Sequence, residues 1–248
     1  MHAPHDLRAV LFDMDGTLVE TEQYWGEALF ELAARLGGQL SEEARAATVG
    51  TSMRVAMEIL HADLGLHRTE QELQADAAWV EAATGQMLAR EVVWRPGARE
   101  LLAAVHAAGL RTALVTTTPR ALADLVLGHI ERAFPERPAF DITICGDEVV
   151  ARKPDPAPYV QAMAALGVDP AECVVIEDSH AGITAGLASG AVVLGVPTMQ
   201  VVDAAPGLVL RDGLVGVGPA ELAGILAATA TAATATDTAA TASVGSTV

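Results

Sequence analysis

Four stretches of the chain carry residue types that could do chemistry together. Phe12 is followed by Asp13-Met14-Asp15-Gly16-Thr17, Val115 by Thr116-Thr117-Thr118, Ile176 by Glu177-Asp178, and Lys153 lies within Arg152-Lys153-Pro154-Asp155. Carboxylates gathered at one place repel each other unless a cation sits among them, and an all-oxygen donor set suits a hard ion such as Mg2+. An ion held this way keeps coordination positions for phosphate oxygens. The Lys153 ammonium and the Thr116 hydroxyl are then suited to the remaining oxygens, with Thr117 offering a backbone N–H. Once the phosphate charge is balanced, Asp13 is placed to attack phosphorus and form an aspartyl-phosphate. Asp15, two residues on, is placed to protonate the leaving alcohol and then to activate water. Asp13 ends an apolar run, where an unpaired carboxylate is costly, and that weighs against a structural role. Asp155 reads instead as a helix cap.

These groups need a scaffold, and the hydrophobic pattern supplies one. Ala9–Phe12, Thr112–Val115, Ile142–Cys145, Cys173–Ile176 and the fifth run Ala191–Val196 are continuous apolar stretches, as in strands covered on both faces of a parallel sheet. Helical spacing separates them: Ala98, Leu101, Leu102, Val105 and Ala108 precede Gly109, Thr118-Pro119 opens a second helix, and Asp155-Pro156 a third that ends before Gly167. Alternating strand and helix predicts an α/β fold with a doubly wound parallel sheet. Each reactive group follows the C-terminal end of a strand, where open sheets bind ligands, so the four stretches should converge.

Roughly a hundred residues separate the first strand from the second, far more than one crossover helix requires. Glu22 to about Arg90 reads as helical, with Leu29, Leu32, Ala33 and Leu36 leading to Gly37-Gly38 and a second stripe at Met53, Met57 and Leu60. The expected organisation is a core of residues 1–17 and 96–226, an inserted all-α cap at 18–95, and an Ala/Thr-rich disordered tail at 227–248.

Composition narrows the partners. Lys and Arg number 15 against 32 Asp and Glu, a formal net charge of −17, which repels nucleic acid and anionic membrane surfaces. Hydrophobic residues make up 51% of the 248, enough for a large core. Cys145 and Cys173 read as buried strand thiols. The histidines, among them His61, His67, His106, His129 and His180, show no ligand spacing and read as surface or capping residues. With no apolar signal core at the start and no long uninterrupted apolar stretch, a cytoplasmic location is expected.

Asp13-Met14-Asp15-Gly16-Thr17-Leu18-Val19 resembles the signature of haloacid-dehalogenase-like hydrolases. Thr116 is similar to the second motif of that family, Lys153-Pro154-Asp155 to its third, and Val175-Ile176-Glu177-Asp178-Ser179 with Gly182-Ile183 to its fourth. The resemblance extends to about Leu226. It implies a Rossmann-like core, a helical cap after the first motif, and an aspartyl-phosphate intermediate. It also implies Mg2+ held by the Asp13 carboxylate, the Asp15 backbone carbonyl and Asp178, with Glu177 a further ligand or water holder. Asp15 separates the chain from the dehalogenases and phosphonoacetaldehyde hydrolases, which lack that aspartate.

Glu20-Thr21-Glu22-Gln23-Tyr24-Trp25 resembles a segment of capped sugar-phosphate phosphatases, close kin of β-phosphoglucomutase. It departs at Glu20 and at Gln23-Tyr24, and Thr116-Thr117-Thr118-Pro119-Arg120 departs from the mutase pattern. Gly50-Thr51-Ser52-Met53-Arg54 resembles a short cap segment of the same enzymes, which makes Arg54 a candidate substrate contact, with Trp25 a candidate pocket wall. The expected function is Mg2+-dependent hydrolysis of a small phosphorylated metabolite, a sugar or polyol phosphate. The alternatives are a sugar phosphomutase and a binding or regulatory protein without turnover.

Overall fold

The computed structural model of the chain describes residues 6–49, 51–197, 201–229 and 231. Its first elements are β1 (Ala9–Phe12), β2 (Val19–Glu20), α1 (Glu22–Arg35), α2 (Glu42–Thr48), α3 (Met53–Asp63), α4 (Glu70–Arg90), β3 (Val93–Trp94) and α5 (Ala98–Ala107). There follow β4 (Arg111–Val115), α6 (Arg120–Glu131), β5 (Ile142–Ile144), α7 (Ala157–Leu166), β6 (Cys173–Glu177), α8 (His180–Ala188), β7 (Val192–Gly195) and β8 (Leu208–Leu210). Residues 219–229 are again helical.

Six strands form a parallel sheet in the order β5-β4-β1-β6-β7-β8. In the centre, Leu11 pairs with Ala113 on one side and Val175 on the other, and the four residues of β1 are completely buried. Successive strand residues face opposite sides. Leu11, Ala113, Val115, Val175 and Val193 pack with Tyr159, Met163 and Leu166 of α7 and Ile183 of α8. Val10, Phe12, Leu114 and Ile176 are inaccessible too, and Phe12 meets Phe140 edge-on with ring centroids 6.2 Å apart. Burial on both faces explains why the strands read as unbroken apolar runs. The core is therefore the α/β, doubly wound parallel sheet that the alternation of elements predicts, and the Rossmann-like core that the resemblance implies.

Helix ends obey local chemistry. Asp155 Oδ1 accepts from the Ala157 N–H at 2.8 Å, and Gly167 closes α7 in the left-handed region at φ 67°. The helix expected to open at Thr118-Pro119 begins one residue later, with Pro119 as its N-cap. Cys145 and Cys173 are buried and not joined in a disulfide, Cys173 opening β6 and Cys145 lying just past β5. β8 and the antiparallel pair β2–β3 have no counterpart in the sequence reading, because segments of two or three residues are too short for a periodicity to register.

The chain divides into two compact units, one of residues up to Leu18, Arg95–Thr117 and Ala139 onward, the other of Val19–Trp94 and Thr118–Pro138. The first holds the parallel sheet. The second contains α1–α4 and α6, around Leu29, Leu32, Met57, Leu60 and Val80. The sequence reading assigns residues 118–138 to the core. They group with the inserted helices because α6 packs on α4, with Leu122 against Gly85. The tail reading also changes at its start. Residues 227–229 continue a helix that buries Leu222 and Leu226, while 230 and 232–248 lie outside the described residues. Among the described residues no helix is long and apolar enough to cross a membrane.

Gly97 leads into α5 at φ 83°, and a Cβ there would stand 2.5 Å from the backbone C of Leu214 and N of Val215. Gly109 has φ 70° and open space around it. Gly97→Ala should therefore lose about 1–3 kcal/mol beyond the strain of a positive φ, and Gly109→Ala that strain alone. Urea unfolding of both variants checks this, and equal losses would reject the steric account.

Candidate active site

The ends of four neighbouring strands bring the reactive residues together. Asp13 follows β1 and its N–H still bonds the Ile176 carbonyl across the ladder at 3.0 Å. Thr116 follows β4, Asp178 follows β6, and Glu177 is the last residue of β6. Lys153 lies in the segment between β5 and α7, and its peptide bond to Pro154 is cis. Gly16 turns the chain away from β1 at φ 80°, where a Cβ would fall 2.1 Å from Asp178 Oδ2. Only glycine allows both that turn and that approach.

The Lys153 side chain is 3% exposed. It donates to Asp13 Oδ1 at 2.7 Å, Glu177 Oε1 at 2.6 Å and the Val115 carbonyl at 2.8 Å. An ammonium has three donors, and all three are used. Glu177 is completely buried. Its Oε1 also accepts from the Tyr159 hydroxyl at 2.7 Å, and its Oε2 accepts from the Ser179 N–H at 3.3 Å and hydroxyl at 3.1 Å. The Thr17 hydroxyl donates to Asp178 Oδ1 at 3.3 Å, and that of Thr116 to Asp15 Oδ2 at 3.0 Å.

Asp13, Glu177 and Asp178 place carboxylate oxygens within 4.8 Å of one another. With all three ionised, one ammonium leaves two negative charges over. Burial, and then the Glu177 charge, push the Asp13 carboxyl from 3.8 up to about 7 against the pull of Lys153. Burial, then the Asp13 and Glu177 charges, push Asp178 up to about 9. Burial alone would lower Lys153, but Asp13 and Glu177 hold it above its ordinary range. Three close carboxylates with hard oxygen donors and a deficit of positive charge fit a divalent cation.

The predicted residues fare differently. Asp13, Lys153, Glu177 and Asp178 meet at one point, and Asp15 and Thr116 form a pair beside them in the same unit. The Asp15 side chain is not a member of the three-carboxylate group. Thr117 is exposed, and its carbonyl abuts Gly146, where a Cβ would fall 1.9 Å away. In the helical unit Arg54 is ion-paired with Glu58 at 3.1 Å and Glu70 at 2.8 Å. Trp25 is half-buried against the core of that unit. Gly50, in the segment preceding Arg54, lies outside the described residues. His61 departs from its surface reading. It is buried, with Nε2 3.0 Å from Asp76 Oδ2, a carboxylate oxygen that Arg68 also holds at 2.7 Å. Tyr159 and Thr17 are functional neighbours that the sequence reading did not single out. Tyr159 has no signal beyond its place six residues after Lys153 on an apolar helix face. Thr17 is visible only as the residue after Gly16 in the first motif.

Residues 7–190 match the family model of haloacid dehalogenase-like hydrolases. The chain is 32% identical to Protein CbbY of Rhodobacter capsulatus, covering 78% of this chain and 86% of that one. It is 32% identical to a phosphorylated carbohydrates phosphatase of Thermotoga maritima, over 74% of this chain and 82% of the relative. The crystal structure of CbbY from Rhodobacter sphaeroides in complex with phosphate superposes with a TM-score of 0.71 at 29% identity, covering 86% of this chain and 98% of that one.

An acid whose pKa is raised by folding destabilises the folded state progressively as pH rises from its unfolded value through its folded one. For Asp13 and Asp178 that window runs from about 4 to about 9. In EDTA, the melting temperature should fall between pH 6 and pH 9, and Asp13→Asn with Asp178→Asn should flatten the slope. Adding a divalent cation should raise the melting temperature more at pH 8 than at pH 6, since binding displaces protons. An unchanged slope in the double variant would reject this account of the cluster.

Proposed function

The chain belongs to the haloacid dehalogenase-like hydrolase family, and we propose that it is a Mg2+-dependent phosphatase of a small phosphate monoester, with sugar or polyol phosphates the substrate class. The observation that carries this reading is the Lys153 ammonium shared by Asp13 and Glu177, with Asp15 two residues further on and tied to Thr116. The family and the phosphatase relatives agree with it. The net charge of −17 disfavours nucleic acid and anionic lipid as partners, and the reading places the protein in the cytoplasm.

Asp13, Asp178 and the backbone carbonyl of Asp15 would hold Mg2+, and the ion would supply positive charge against the phosphoryl oxygens. Glu177 adds its charge nearby, with its oxygens taken by Lys153, Tyr159 and Ser179. Asp13 attacks phosphorus, the P–O bond to the alcohol breaks, and Asp15 gives the departing alkoxide its proton. Lys153 stays beside Asp13 and offsets charge on the phosphoryl group carried there. Asp15, now ionised, takes a proton from water as that water attacks the same phosphorus. The Asp13–phosphate bond breaks, the carboxylate returns, and inorganic phosphate leaves.

A panel of phosphate esters with detection of released phosphate tests the reading, and conversion of a hexose 1-phosphate into an isomer without release would replace it with a mutase. Asp13→Asn should lower kcat at least a thousandfold. Asp15→Asn should slow turnover by about a hundredfold or more and leave phosphorylated protein detectable by mass. Excess EDTA should silence the enzyme, and normal rates in either variant or in EDTA would reject the assigned roles.

A further inference from the structure

Tyr159 is completely buried, yet it carries a hydroxyl where an apolar ring would fill the same space. A buried hydroxyl costs free energy unless it is bonded. Its partner is Glu177 Oε1 at 2.7 Å, the same oxygen that receives Lys153 at 2.6 Å. The ring stands over the ammonium as well, 5.0 Å from Nζ to centroid. Glu177 is thus gripped from two sides, by Tyr159 and Lys153 at Oε1 and by Ser179 at Oε2. Gly182 completes the fit, since a Cβ there would fall 1.8 Å from Oε1. The carboxylate has four donors for its four lone-pair directions, so it cannot turn without losing one.

We propose that Tyr159 is a positioning residue for phosphoryl transfer: its hydroxyl fixes Glu177 so that the carboxylate aims the Lys153 ammonium at Asp13. The inference rests on the phosphatase reading above. Without the hydroxyl, Oε1 keeps Lys153 as its partner and the carboxylate gains freedom to rotate about its remaining bonds. The ammonium then spends more time off the line to Asp13. Substrate binding, which draws on other groups as well, is affected less than the transfer step.

Tyr159→Phe removes one oxygen and keeps the ring over Lys153. With the best ester from the panel, kcat should fall about tenfold while KM stays within twofold and the melting temperature drops by only a few degrees. A residue that merely packs would move the melting temperature and leave kcat of the folded protein alone. Ser179→Ala, which loosens the same carboxylate from its other oxygen, should lower kcat in the same manner with KM unchanged, and it carries the test if Tyr159→Phe does not fold. Wild-type kcat in folded Tyr159→Phe, or in Ser179→Ala should that variant have to stand alone, overturns the proposal. A wild-type protein inert towards every ester overturns the phosphatase reading and this proposal with it, whereas an active wild type beside an equally active variant overturns this proposal alone.

Discussion

Burying an ammonium costs several kcal/mol after relaxation, and the cost is recovered only with good geometry and every donor bonded. Lys153 meets that condition with Asp13, Glu177 and the Val115 carbonyl, all within 2.8 Å. The dependence runs both ways. Without Lys153, three carboxylates with oxygens within 4.8 Å of one another would face each other in a buried site, and they would take up protons still more readily. With it, the Asp13 carboxyl is held below where burial and the Glu177 charge alone would put it. Tyr159 and Ser179 hold Glu177 in place, and Thr17 holds Asp178.

The sheet explains why the groups are close. Neighbouring strands lie about 4.8 Å apart, so residues one step past adjacent ends are forced within reach of each other. β1 lies between β4 and β6, and this brings Asp13 beside Asp178 and the end of β6. Crowding then makes demands on the backbone. Gly16 and Gly182 stand where any side chain would collide with Asp178 and Glu177. The carboxylates are fixed by ladder, turn and helix cap together, which leaves little freedom to relax when a charge is added or removed.

The strands and the grouping of Asp13, Glu177 and Asp178 are readable for the same reason: these carboxylates interrupt or follow apolar runs, where a charge needs an explanation, whereas Lys153 stands out only by its place within Arg152-Lys153-Pro154-Asp155. The insertion was readable from length alone. What escaped has no such contrast. β2, β3 and β8 are too short to show a period, and Tyr159 looks like any large residue on the buried face of α7. Residues 118–138 carry an ordinary βαβ pattern, and nothing local says that α6 packs on α4. His61 looks like a polar residue on a helix, because its partner Asp76 lies in the next helix, where Arg68 from the connection between them holds the same oxygen.

The two units treat charge in opposite ways. The sheet unit concentrates carboxylates that one lysine does not neutralise. In the helical unit three arginines are committed to carboxylates of their own unit: Arg45 to Glu22, Arg54 to Glu58 and Glu70, Arg68 to Glu72 and Asp76. Arg45 is packed so tightly that a Cβ at Gly26 would fall 2.7 Å from its Nε. A guanidinium held in this way must give up a carboxylate before it can take a second phosphate or an acidic group from a ligand. Each such exchange replaces one charge-assisted bond with another, and the net gain is small.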